Sequence, residues 1–337
     1  MNEKDRRLAQ FCRSRRVDGA VLRRRSNIAW ITDGADVQVD ASTSLGVATL
    51  LWTPKRKRVF TDIIEARRLR DEEFGRDWEI VESPWWTPPR LPAGHFACDW
   101  PDDILVDVRA SLTAHEAKRL RALGAESAAT LEATMKAVRR GWCEREVAGR
   151  IDGELRSLGI QPVVTLIAAD GRIARYRHPI PTANRVEKQL VVSICAQRHG
   201  LVVCLTRLLH FGKLSADLRR RHEAVCRIDS VLQAATRPGA RWCEILAGGI
   251  AAYRETGFAD EWKRHHQGGP MGYEPRDFKA TLDETRAVVK SQAVGWNPSI
   301  AGTKSEDTIL STGEVVTVTR EWPMESGRPG ILTIRRS

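Results

Sequence analysis

The chain has 337 residues, 42% hydrophobic and 29% charged, with a net charge of +11 from 54 Lys+Arg against 43 Asp+Glu. Such a composition suits a globular protein, and the length points to two domains because one core rarely serves more than about 200 residues. No apolar run reaches the roughly 20 residues that span a bilayer, which argues against a membrane protein.

The positive charge lies in short scattered runs such as Arg23-Arg24-Arg25 and Arg219-Arg220-Arg221, without a nucleic-acid motif, so no nucleic-acid partner is expected. The start, Met1 to Arg7, is charged and lacks the apolar segment of a secretory signal, and a cytoplasmic location is the expectation. Cys12, Cys98, Cys143, Cys195, Cys204, Cys226 and Cys243 are odd in number and form no Cys-x-x-Cys pair. They read as reduced thiols rather than a disulfide or zinc framework.

Residues 4–16 read as a helix, 19–22 and 27–31 as strand or strand-to-helix segments, and 46–52 with 58–61 as a hairpin around Pro54-Lys55. A charged helix over 63–74 and a strand at 80–82 precede a proline-rich break at 84–89. Helices and strands in alternation make a small α/β domain, taken as residues 1–108.

The second domain, 109–337, opens on Thr113 three residues before Glu116, a capping-box pair. Leu120, Leu123, Leu131, Met135 and Val138 then recur at helical spacing, so a long amphipathic helix follows. A second helix is expected over 143–158, strands over 163–169, 190–196 and 201–208, and helices over 216–235 and 243–256. A late strand is expected at 315–319, and the tail after Pro323 carries little signal. Two successive helix-helix-strand-strand blocks hint at an internal pseudo-repeat.

Two stretches of this domain carry the chemistry. The strands 190–196 and 201–208 read as a hairpin with a four-residue loop, Gln197 to Gly200, centred between Arg198 and His199. On that register Ser193 faces Cys204, and a serine and a cysteine are poor ligands for a hard divalent ion. The second stretch combines His265-His266, the glycines and prolines of Gly268-Gly269-Pro270-Met271-Gly272, and Lys304 with Glu306, two apart and therefore on one face of a strand.

The order of a small α/β domain, the two helices, the 193/204 hairpin, the His/Gly stretch and the Gly302-Thr303-Lys304-Ser305-Glu306-Asp307-Thr308 segment resembles the creatinase, prolidase and aminopeptidase P family, the M24 pita-bread group. The resemblance covers nearly the whole chain. It implies an α/β (α+β) fold with a small N-terminal creatinase-like domain and a C-terminal pita-bread domain of pseudo-twofold αβ repeats. It also implies a homodimer. The metal-dependent members hold two metal ions with two aspartates, a histidine and two glutamates. Carried over one by one, these positions fall on Ser193, Cys204, Gly269, Asn297 and Glu306, so only Glu306 survives. A closed ligand shell cannot be replaced by one carboxylate, and no metal or other cofactor is expected.

Creatinase works without metal, through a histidine on the loop before the hairpin, and the matching position here is His178. The resemblance therefore implies a metal-independent hydrolase of a small carboxylated substrate with a C–N bond, an amide, amidine or cyclic amidine. His178, His265 and Glu306 are its candidate catalytic residues. Arg177, His266, Tyr273, Glu274, Trp296, Asn297, Lys304 and Arg207 are candidates for substrate binding. Two alternatives stand beside this reading: a non-catalytic pita-bread protein that binds a peptide or small molecule, and an Xaa-Pro peptidase with an altered metal site.

Overall fold

The computed structural model describes residues 2–334. The chain divides into two compact units, Met1–Ala110 and Ser111–Ser337. The first contains α1 (Glu3–Arg15), β1 (Gly19–Arg24), α2 (Arg25–Thr32), β2 (Leu45–Trp52), β3 (Lys57–Asp62), α3 (Ala66–Arg68), β4 (Glu79–Ser83), β5 (Phe96–Cys98) and α4 (Val106–Arg109). Its five strands form one sheet in the order β4-β3-β2-β1-β5. Asn2 and Asp5 make a reciprocal cap at the start of α1. Asp5 also accepts from Trp52 Nε1 at 2.8 Å and from Lys57 Nζ at 2.9 Å, which fastens the helix to the β2–β3 hairpin. Residues 27–31 are helical, and the helix expected over 63–74 is a short α3 that passes into a π-helical turn, Leu69–Glu73.

The second unit begins with α5 (Ala114–Ala137), α6 (Glu144–Ser157), β6 (Gln161–Ala169), α7 (Gly171–Arg175), β7 (Gln189–Arg198) and β8 (Leu201–Phe211). It continues through α8 (Ala216–Ala235), α9 (Trp242–Glu255), β9 (Gly268–Met271), β10 (Ala293–Trp296), β11 (Ser299–Ile300), β12 (Thr303–Lys304) and β13 (Asp307–Leu310). The short pair β14 (Met324–Glu325) and β15 (Arg328–Pro329) leads to β16 (Ile331–Ile334). The capping box at α5 is formed: Thr113 N donates to Glu116 Oε2 at 2.7 Å and Glu116 N donates to Thr113 Oγ1 at 3.2 Å.

Two helix pairs each accompany a sheet. α5 packs on β8 and α6 on β6 within the β16-β8-β7-β6 half, and α8 packs on α9 beside the β13-β10-β9 half. The halves meet where β13 runs against β8. Cys204 N donates to Thr308 Oγ1 at 2.8 Å and Thr206 N donates to Glu306 O at 3.0 Å, so the second half delivers Glu306 directly onto the hairpin.

Three expectations are corrected. The β7–β8 loop is two residues, not four: Arg198 pairs with Leu201. His199 and Gly200 both have positive φ, 52° and 77°, as the tight turn that matches strand twist requires. Ser193 therefore faces Thr206, and Cys204 faces Cys195. Residues 315–319 are not a strand beyond an isolated bridge between Ile309 and Val315, because polar groups of Thr317 serve elsewhere. Its carbonyl accepts from Arg207 Nη2 at 2.5 Å and its hydroxyl donates to Asp307 Oδ1 at 2.8 Å. The tail also carries structure, since β16 pairs in parallel with β8. Among the described residues no helix is long and apolar enough to cross a membrane.

Candidate active site

The hairpin supplies the floor. Alternate residues of a strand share a face, so Ser193, Cys195, Cys204 and Thr206 stand together. Thr206 Oγ1 donates to Glu306 Oε2 at 2.6 Å. With that proton committed, the 2.6 Å contact between Ser193 Oγ and Thr206 Oγ1 has Ser193 as donor. Lys304 Nζ closes the ring, donating to Ser193 Oγ at 3.2 Å and to Glu306 Oε2 at 2.6 Å. The expected shared face of Lys304 and Glu306 is thus an ion pair.

Arg276 completes the clamp on Glu306 by donating from Nη2 to Oε1 at 3.2 Å. Burial alone would raise the Glu306 carboxyl, but Lys304 and Arg276 outweigh it and hold the group down at about 2. Two cations against one carboxylate leave this cluster with one net positive charge. In a site withdrawn from water, such a charge favours an anionic ligand or a developing oxyanion.

Three imidazoles lie beside the cluster. His178 Nε2 is 3.0 Å from His265 Nε2, and the His265 and His266 rings stack with centroids 4.3 Å apart. Burial, then the nearby Lys304, lowers His178; the same two causes pull His265 down to about 2. Burial and Arg276 pull His266 down to about 4. All three are neutral near pH 7, when an imidazole can accept a proton. A cavity of about 150 Å³ is lined by His178, His266, Asn297, Lys304, Glu306 and Arg276. Asn297 Oδ1 is buried and has no hydrogen-bond partner.

This donor set does not fit a pair of divalent ions. Ser193 and Glu306 are bound into the ring with Lys304, and Cys204 Sγ has Arg276 Nη1 at 3.6 Å. Gly269 offers no side chain, and a Cβ there would stand 2.5 Å from the carbonyl oxygen of Phe278. The ligating atoms of His178, His265 and His266 lie within 4.8 Å of one another, a spacing one metal ion can bridge.

Several candidates for substrate binding lie elsewhere. Arg207 is fully buried, donating to Glu132 Oε1 at 2.8 Å and Asp307 Oδ1 at 3.0 Å, and therefore holds β8 to its neighbours. Tyr273 is buried with its hydroxyl on Glu116 Oε1 at 2.6 Å. Trp296 is a core residue whose Nε1 donates to Thr236 Oγ1 at 2.8 Å. Arg177 stands nearer: Nη2 donates to Glu261 at 2.6 Å, its buried Nε has no hydrogen-bond partner, and it lines a small cavity with Ser193, His265 and Lys304. Glu274 is partly buried, and its backbone carbonyl accepts from Gly272 N at 3.3 Å. The structure adds Arg276, Thr206 and Cys195. Arg276 had one local signal, the Glu274-x-Arg276-Asp277 spacing, whereas Thr206 and Cys195 enter through the corrected register.

Residues 118–331 match the model of metallopeptidase family M24. An Xaa-Pro dipeptidase of Pyrococcus horikoshii is 22% identical, covering 93% of this chain and 95% of that protein. The prolidase structure from the same organism superposes with a TM-score of 0.78 at 19% identity, over 95% of this chain and 99% of that one. The N-terminal domain of FACT complex subunit SPT16 from chickpea, Cicer arietinum, superposes with a TM-score of 0.68 at 9% identity, over 94% of this chain and 96% of that domain.

Proposed function

The chain belongs to metallopeptidase family M24, and on that premise we propose that it hydrolyses the amide C–N bond of a small carboxylated substrate of the Xaa-Pro dipeptide kind. Its centre is rebuilt from side chains in place of the family's paired metal ions. The observation that carries this reading is the convergence of His178, Asn297, Lys304 and Glu306 on one cavity, with His265 at 3.0 Å from His178. The Xaa-Pro class comes from the named function of the Pyrococcus relative. It replaces the amidines that creatinase alone would suggest as the first substrates to try.

Neutral His178 takes a proton from water and returns it to the leaving nitrogen, the two halves of general acid–base catalysis. His265 Nε2 orients the His178 ring. Lys304 and Arg276 supply the positive field for the substrate carboxylate or the developing oxyanion. The free Asn297 Oδ1 accepts from a substrate N–H. Glu306 keeps both cations in place.

The test is a panel of Xaa-Pro dipeptides, carboxylated amides and amidines, each assayed with chelator, without it and with added manganese, cobalt or zinc. Turnover that survives chelation in the wild type and disappears in His178→Ala supports the reading. Equal turnover in both proteins removes His178 from the reaction. Turnover seen only with added metal restores the metallopeptidase alternative.

A second reading keeps the cleft for binding a peptide or small molecule without turnover. The likeness to a domain of the FACT complex and the loss of four ligand positions favour it. Dipeptide binding without product in any arm of the panel would select it. Homodimerisation and a cytoplasmic location remain part of the proposal through family resemblance. Sedimentation of the purified protein tests the first.

A further inference from the structure

Cys195 and Cys204 are not used by the proposed reaction, yet they sit directly opposite one another at the floor of the cavity. Their sulfurs are 3.0 Å apart, and both are free thiols. The backbone shows which kind of cross-strand pair this is. Cys204 N donates to Thr308 Oγ1 at 2.8 Å and Cys204 O accepts from the same hydroxyl at 2.9 Å, so neither group bonds to β7. Such a non-hydrogen-bonded pair has its Cα atoms about 4.5 Å apart, closer than its neighbours along the ladder. That spacing lies within the range of about 4.4–6.8 Å that a disulfide spans.

We propose that Cys195 and Cys204 form a reversible oxidation site, closing to a disulfide across the hairpin when a hydroperoxide enters the cavity. The two sulfurs differ in their surroundings. Cys195 lines the cavity, whereas Cys204 is fully buried with Arg276 Nη1 at 3.6 Å. The contact with Cys195, against burial and with help from Arg276, lowers the Cys204 thiol from its ordinary value. The same contact, then burial, raises Cys195.

The Cys195 sulfur attacks one oxygen of the peroxide, the O–O bond breaks, and the departing hydroxide takes the Cys195 thiol proton as water. The Cys204 sulfur then attacks the oxidised Cys195 sulfur, the S–O bond breaks, and the second hydroxide takes the Cys204 thiol proton as water. The two cysteines lose two electrons, and hydrogen peroxide becomes two waters.

Thiol counting on the full chain tests this without any turnover, so its outcome is independent of the proposed hydrolysis. Protein treated with hydrogen peroxide is unfolded, alkylated and weighed. The seven adducts of the untreated chain should fall by two, digestion should yield a Cys195–Cys204 cross-linked peptide, and dithiothreitol should restore all seven. Cys195→Ser, checked for folding by circular dichroism, should keep every remaining thiol under the same treatment. A full count in oxidised wild type, a bridge between other cysteines, or the same loss in Cys195→Ser overturns the proposal.

Discussion

His265 Nε2 lies 3.0 Å from His178 Nε2, so one proton sits between two rings that are otherwise both neutral. One ring donates it and the other accepts it. His178 is the more exposed of the two.

Truncating His178 to Ala should therefore lower kcat by about 10²- to 10⁴-fold, the usual size of a general acid–base contribution, with KM nearly unchanged. His265→Ala should lower kcat less and shift the acid limb of the pH profile. Because burial and Lys304 depress His178, the neutral base persists to a pH below the unperturbed value of about 6.5. Activity should be flat through neutrality and fall on acidification below that point. Steady-state kinetics from pH 4 to 9 checks both claims, and an acid limb at or above the unperturbed value would count against His178 as the base.

Glu306 separates two cations that would otherwise face each other unpaired, with Lys304 at 2.6 Å and Arg276 at 3.2 Å. Removing one member of a buried ion cluster commonly costs about 3–5 kcal/mol. Glu306→Ala should lose stability on that scale by urea denaturation. Lys304→Met, which removes one of the two excess positive charges, should restore part of it in the double variant.

Gly269 has φ +153°, and a Cβ there would meet backbone at 2.5 Å. Gly269→Ala should destabilise by more than about 1 kcal/mol, as expected when a side chain enters a conformation reserved for glycine. Titration calorimetry of the wild type with manganese or zinc should find no site of two ions per chain. Tight binding of two ions would show that the clamp around Glu306 opens to admit them.

His222 gives a pH signature away from the cavity. Burial lowers its folded pKa to about 4 despite a hydrogen bond to the Pro329 carbonyl. Between the unfolded value of about 6.5 and that folded value, the unfolded chain binds the extra proton, so stability falls as pH falls. The shift corresponds to about 3 kcal/mol. Wild type should lose about that much relative to His222→Gln between pH 6.5 and 4 in paired urea melts, and parallel curves for the two proteins would rule the effect out.

Local signals carried much of the second unit. The Thr113–Glu116 cap and the apolar stripe through Leu120, Leu123 and Leu131 placed α5, because the first helical turn and the 3.6-residue period are written in neighbouring residues. The hairpin register was not legible in that way. It depends on His199 adopting a left-handed conformation that non-glycine residues seldom take, and a slip of that kind exchanged the partners of Ser193 and Cys204. Arg207 looked like a ligand anchor because Glu132 and Asp307, which neutralise it, lie 75 and 100 residues away. The strand Ile331–Ile334 is a four-residue run whose partner, β8, lies more than a hundred residues earlier.

The close approach of backbone at Gly269 also limits which side chains the cavity can carry. Of the ligand positions that family resemblance assigns, Ser193, Cys204 and Asn297 carry polar or thiol side chains, whereas Gly269 carries none. A histidine at Gly269 would require the segment from Phe278 to Ala280 to move aside. Because the obstacle is backbone, no change of side chain elsewhere in the cavity would relieve it.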